Sequence, residues 1–212
     1  MTYNFKNVYL QDTYTVVGPY EAKGPLNKYF DNSFKNLYCG EKSFEKAEVK
    51  LAQTAITGIL KKCFLGPSDV DLVIAGDLLN QITASSYSVN GVGKQFLGVY
   101  NACATSVEAM IIGSVFIDSK KINNCLCSVS SHNMSSEKQF RNPTEYGAPK
   151  EATATFTATG GATSLLTNKK TTIKIESATI GKVVDYNQKD PLNMGAVMSC
   201  VAADTLIPIL KI

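Results

Sequence analysis

Apolar and polar positions along this chain repeat in two rhythms, one helical and one strand-like. From Ser43 the step is helical: Phe44, Ala47, Leu51, Ala55 and Ile59 recur every three or four residues. Ser43 suits an N-cap with Glu45 in the first turn, and Lys61-Lys62 stand where the end of the helix dipole favours cations. Gly66-Pro67 stops this helix. The run Leu72-Val73-Ile74-Ala75 predicts a buried parallel strand. A short helix over Ala84–Asn90 and a strand over Phe96–Tyr100 follow. Thr105 to Asp118 is helical and apolar on nearly every side except Glu108, which predicts a central, buried helix. Leu126–Ser131 is then a strand, with Cys125 and Cys127 two residues apart and on one face.

The flanks are less regular. Strand-like patches at Val8–Leu10 and Thr15–Val17 precede turns at Gly18-Pro19 and Gly24-Pro25. The polar stretch His132–Glu151 has no periodicity and predicts a long loop with one short helix. Thr153–Thr167, broken by Gly160-Gly161, and Thr171–Val183 are rich in β-formers. Asp190-Pro191 opens a last helical segment that Pro208 is expected to break. Gly160-Gly161 has neither the spacing nor the following Lys-Ser/Thr of a nucleotide loop, and is expected to serve a bend or a close backbone approach between strands.

Strand and helix in alternation imply right-handed crossovers and an α/β fold, a mixed or parallel sheet with helices on both faces. Ligands of such sheets sit beyond the carboxyl ends of the strands. Three polar clusters fall there: Gly76-Asp77-Leu78-Leu79-Asn80-Gln81, Asn101-Ala102-Cys103 and Ser130-Ser131-His132-Asn133.

Composition narrows the function. At 212 residues and 44% hydrophobic the chain can bury a sizeable core, and its 18% of charged residues, on the low side for a soluble domain, suggests surface reserved for contact. The net charge of +3 comes from scattered lysines, with no basic stripe and interleaved aromatics, so nucleic acid is not an expected partner. The longest apolar stretch, Ala109–Ile117, is interrupted by Gly113 and Ser114 and falls short of the ~18 residues of a membrane span. Any membrane association is therefore expected through a partner. No basic-then-apolar leader is present, and six cysteines without a CxxC pair are expected to be reduced thiols. One histidine and no paired cysteine motif leave too few ligands for zinc, and neither a metal nor a cofactor is expected.

Three groups could carry chemistry. Cys103 lies between a strand and a helix, with Thr105 and Ser106 as capping candidates; backbone amides and the dipole there favour a thiolate and attract an anion. The other five cysteines are expected to be inert. His132 is the only histidine and Arg141 the only arginine, both in the polar stretch beside Asn133, Thr144, Glu145 and Tyr146. Arginine offers a rigid fork for a carboxylate; alternatively Arg141 pairs with Glu145 four residues on, and His132 is simply a hydrogen-bonded strand end. Asp77, Asn80 and Gln81 are ligand candidates or turn formers.

Together these segments resemble the thiolase-like fold, and more closely the stage V sporulation protein AD family. The resemblance rests on Ala75-Gly76-Asp77-Leu78-Leu79-Asn80-Gln81, Ala102-Cys103-Ala104-Thr105-Ser106, Ser130-Ser131-His132-Asn133, Gln139-Phe140-Arg141-Asn142-Pro143-Thr144-Glu145-Tyr146-Gly147 and Ala202-Ala203-Asp204-Thr205, in that order. It implies an α/β, thiolase-like, five-stranded mixed sheet, one half of a duplicated fold. Residues 1–185 would be that N-terminal half, and 186–212 the start of a truncated second half. It also implies binding of dipicolinic acid (pyridine-2,6-dicarboxylate), alone or as its calcium chelate, for uptake into the developing spore. Other proteins of the stage V sporulation AA–AF membrane complex would be partners, at the cytoplasmic face of the forespore or spore inner membrane. A flat dianion suits helix-start amides, the Arg141 fork and an aromatic wall such as Tyr146. The alternatives are an acyltransferase with Cys103 as nucleophile, for which partners from a second half are missing, and a scaffold with a vestigial pocket. An apolar helix lacking its counterpart would expose a patch and favour a homo-oligomer.

Overall fold

The computed structural model of the chain describes residues 1–140, 156–190 and 193–210. Two compact units are formed, one from Asn7–Ile175 and one from Met1–Lys6 with Glu176–Ile212.

The larger unit is a mixed sheet with helices on both faces. Its strands, with β1 kept for the smaller unit, are β2 (Tyr9–Val17), β3 (Asn32–Ser33), β4 (Leu72–Gly76), β5 (Gln95–Gly98), β6 (Asn124–Ser131), β7 (Gly160–Thr167) and β8 (Ile173–Lys174). The order across the sheet is β3-β2-β7-β6-β4-β5, with β8 beside β2. Five strands give the sheet its breadth; β3 and β8 are two-residue additions to β2, of which β8 falls in the β-rich run Thr171–Val183 and β3 was not predicted. β4 runs parallel to β5 and β6, whereas β7 is antiparallel to both β6 and β2. The two patches expected near the N-terminus are one strand. Its polar middle, Gln11-Asp12-Thr13, masked the continuity, and the register shifts there between Leu10 and Asp12.

Helix α1 (Phe44–Lys62) forms where its periodicity predicts, and Ser43 Oγ accepts the Lys46 amide at 3.2 Å. Its Leu51, Ala55, Ile56 and Ile59 are fully buried, and Ile56 and Ile59 join Val73, Leu126 and Leu165 in the main core. Each such aliphatic side chain contributes about 1.5–3 kcal/mol by leaving water. The approach is close: a Cβ on Gly161 would lie 2.9 Å from the Leu51 carbonyl oxygen. The close approach expected between strands is found at Gly160, against the Val16 carbonyl of β2, whereas at Gly161 it is helix against strand. Helix α2 (Thr83–Asn90) packs beside α1 on the same face. Helix α3 (Thr105–Asp118) covers the other face, where Gly113 sits over the Cys125 and Cys127 sulfurs. Helix α4 (Asn133–Phe140) is the short helix of the polar stretch.

α3 corrects one expectation. It is apolar nearly all round but buried on one side only: Ala109, Gly113 and Ile117 are covered, while Val107 is 58%, Val115 41% and Phe116 37% exposed.

In the smaller unit β1 (Thr2–Asn4) pairs antiparallel with β9 (Ser177–Thr179), and the Phe5 amide donates to the Glu176 carbonyl at 2.8 Å. Helix α5 (Met194–Leu210) also belongs to it. The expected break at Pro208 does not occur. The helix runs through Pro208 to Leu210.

Candidate functional site

The carboxyl ends of β4 and β5 and the start of α3 meet at Gly76. A side chain there would collide with the Val99 carbonyl and the Thr105 methyl group, so only glycine lets the three segments close. A side chain at Gly98, at the end of β5, would likewise collide with the Ile82 side chain. Both exits turn through left-handed backbone at non-glycine residues: Gln81 at φ 60°, Ile82 at φ 47° and Ala102 at φ 43°. Such conformations cost of order 1–3 kcal/mol each and persist only where the surroundings impose them.

Cys103 follows Ala102 in a 3-10 turn, Ala102–Ala104, that leads into α3. Of the six cysteines, all free thiols, it alone is exposed. The expected capping arrangement differs. No side chain caps α3; instead Thr105 Oγ1 donates to the Ala102 carbonyl at 2.8 Å and accepts the Asn101 amide at 3.0 Å, fixing the turn that carries the thiol. Cys39, Cys125 and Cys127 are buried, and Cys63 and Cys200 are partly covered. Burial pushes Cys39 up to about 11 and raises Cys63, and the adjacent Cys125 thiol together with burial holds Cys127 well above its ordinary range.

Asp77 is buried, and both carboxylate oxygens are engaged. Oδ1 accepts the Leu79 amide at 2.8 Å and Oδ2 the Ser85 amide at 2.7 Å, so it caps α2 from eight residues upstream. Asn80 and Gln81 are exposed in the turn between them. At the exit of β6, His132 is fully buried and stacked on Phe44 at 5.2 Å. Its Nε2–H donates to the Leu37 carbonyl at 2.7 Å, Nδ1 accepts the Met134 amide at 3.2 Å, and burial lowers its pKa. Both nitrogens of this neutral imidazole are therefore engaged, one as donor and one as acceptor. The Asn133 amide donates to Thr159 Oγ1 at 3.0 Å. Thus Asp77, Asn80, Gln81 and Cys103 gather at the ends of β4 and β5, while His132 ties the end of β6 to the segment around Leu37. Arg141, Thr144, Glu145 and Tyr146 lie outside the described residues.

One group escaped sequence reasoning. Glu48 of α1 is fully buried beneath the exit of β6, with Oε2 2.7 Å from Ser135 Oγ and Oε1 3.3 Å from Ser130 Oγ. Burial first, and the charge of Asp77 in addition, raise its pKa to about 8. The signal was present: an acid inside the stripe Ala47, Leu51, Ala52, Ala55.

Among the described residues no three His, Cys, Asp or Glu side chains gather as a metal would require. Surface hollows occur between α1 and α2, about 220 Å³ lined by residues such as Lys50, Thr54, Ser88 and Val92, and at Asn27–Ser33; neither includes Cys103.

A profile of the family described as Stage V sporulation protein AD matches residues 1–211. Stage V sporulation protein AD of Bacillus subtilis is 40% identical over 199 residues, covering 94% of this chain and 59% of that protein. The chain therefore spans less than two thirds of that relative's length. Among solved structures, 3-oxoacyl-(acyl-carrier-protein) synthase III from Aquifex aeolicus superposes with a TM-score of 0.51 at 15% identity, over 77% of this chain and 55% of that one. Cerulenin-bound OleA from Xanthomonas campestris gives 0.52 at 16%, over 77% and 57%. At such identities the likeness is one of fold: an α/β, partial thiolase-like half.

Proposed function

The chain belongs to the stage V sporulation protein AD family, and from that premise we propose that it binds dipicolinic acid, free or as its calcium chelate, for loading into the developing spore. The observation that carries this reading is Cys103, exposed on a left-handed turn at the uncapped start of α3. A helix start with no side-chain cap offers its amides and positive dipole end to an anion. The proposed ligand shell is Asn80, Gln81 and Cys103, joined by Asn133, Arg141, Thr144, Glu145 and Tyr146, with Arg141 gripping one carboxylate. Asp77 and His132 shape it from behind.

Titration calorimetry with dipicolinate, with and without calcium, tests this once circular dichroism has established that the chain is folded. Binding is expected in the wild type, and Arg141→Ala should weaken it by about 2–3 kcal/mol, roughly 30- to 160-fold. A folded chain that gives no heat at millimolar dipicolinate overturns the reading. The same exposed thiol supports a second reading, acyl transfer through Cys103. It requires rapid alkylation and acyl transfer from acyl-coenzyme A, and an ordinary labelling rate removes it. If the chain were only a scaffold, Arg141→Ala would leave its function intact.

No helix among the described residues is long and apolar enough to cross a membrane. We propose that proteins of the stage V sporulation AA–AF complex hold it at the spore inner membrane. Self-association is proposed along β5, whose four residues are all exposed at the sheet edge. A two-fold axis lets such a strand pair with its own copy.

A further inference from the structure

We propose that the Glu48 carboxyl, wedged between α1, β6 and α4, is a proton-held latch that seats α4 on α1 and releases it when the proton leaves. This goes beyond the binding reading and does not depend on it. The geometry comes first. Glu48 has no exposed surface, and its two oxygens face hydroxyls from two other elements, Ser130 at the end of β6 and Ser135 in α4. Ser135 Oγ also lies 3.1 Å from the His132 carbonyl. With Glu48 protonated every hydrogen has an acceptor: Glu48 Oε2–H donates to Ser135, Ser135 O–H to the His132 carbonyl, and Ser130 O–H to Glu48 Oε1.

Loss of the proton leaves a buried anion. The O–H bond of Glu48 breaks, the proton passes to solvent, and Ser135 must turn back to the carboxylate. The charges that face Glu48 do not help. Asp77 at the exit of β4 and Glu45 one turn earlier on α1 both disfavour the anion. On α4, Lys138 is committed to Glu45 at 3.6 Å on the exposed side, and Glu137 is a further acid whose Oε1 accepts from Thr157. His132, at the exit of β6, is neutral with both nitrogens engaged. β7 and α2 contain no charged residue, and the acid of β2, Asp12, pairs with Lys62 at the far end of α1. Opening α4 to water restores the solvation that the anion lacks.

The sign follows from linkage. Glu48 holds its proton up to about 8 when α4 is seated but only to its ordinary 4.5 in water. Opening therefore becomes easier by about ten-fold per pH unit between about 5 and 8, and levels off above 8.

Amide hydrogen exchange on the full chain reads this directly. Protection of α4 amides, corrected for the intrinsic rate at each pH, should fall about ten-fold per unit from pH 5.5 to 8 and then flatten. Amides of β4 and β6 should show no such slope. Glu48→Gln should keep α4 protected at every pH. Ser135→Ala keeps the acid but removes a partner of its anion, and should shift the plateau to higher pH. Wild-type protection indifferent to pH, an unchanged slope in Glu48→Gln, or a slope shared by β4 and β6 each overturns the proposal. Should Glu48→Gln fail to fold, the wild-type profile and the Ser135→Ala shift decide.

Discussion

Cys103 differs from the other five thiols first in access. It stands at the surface on a fixed turn, while Cys39, Cys125 and Cys127 are buried. Iodoacetamide followed by peptide mass spectrometry should modify Cys103 at least about ten times faster than any of those three, and Cys103→Ser should abolish the fast phase. Glu48 carries a second expectation at this scale. Its pKa is raised on folding, so its contribution is full below about 4.5, is lost as pH rises toward 8 and is constant beyond. Urea unfolding should show wild type losing about 1.4 kcal/mol per pH unit in that window relative to Glu48→Gln. Cys103 was legible because the pattern switches there from strand to helix. His132 was legible only as a pair of alternatives, and the structure presents a hydrogen-bonded strand end. Glu48 was not found, because a helical stripe shows that a position faces the core but not which hydroxyls from Ser130 and Ser135 will meet it.

Helices and strands with strong periodicity were legible as elements; what they touch was not. α1 illustrates the first, with its cap and its buried face both predicted. α3 illustrates the second: its apolar positions surround the helix, so nothing in the pattern told the covered side from the open one at Val107 and Phe116. Asp77 was read as a ligand candidate or a turn former, and its bond to the Ser85 amide spans too many residues to be inferred. Asp77→Ala should destabilise the fold by about 2 kcal/mol through the lost α2 cap, measured by thermal unfolding. Gly161→Ala sets its methyl against the Leu51 and Ala52 backbone, which cannot turn aside as a side chain can. A loss of about 1–3 kcal/mol in urea unfolding is expected as α1 is pushed from β7.

At the scale of the whole molecule, β5 closes one side of the sheet with Phe96 and Leu97 exposed, and Tyr100 lies just beyond it. Leu97→Lys should lower self-association in analytical ultracentrifugation without changing the circular dichroism spectrum. The opposite side of the sheet has a different history in time. β2 precedes its long partner β7 by most of the chain, and β1 precedes β9 by still more. A ribosome delivers residues in that same direction, so α1, β4, β5 and β6 emerge while β2 still waits for β7. Pairings of such separation are slow to form, and a waiting strand is open to other chains. Translation itself thus imposes an interval that ends for β2 only when β7 has left the ribosome.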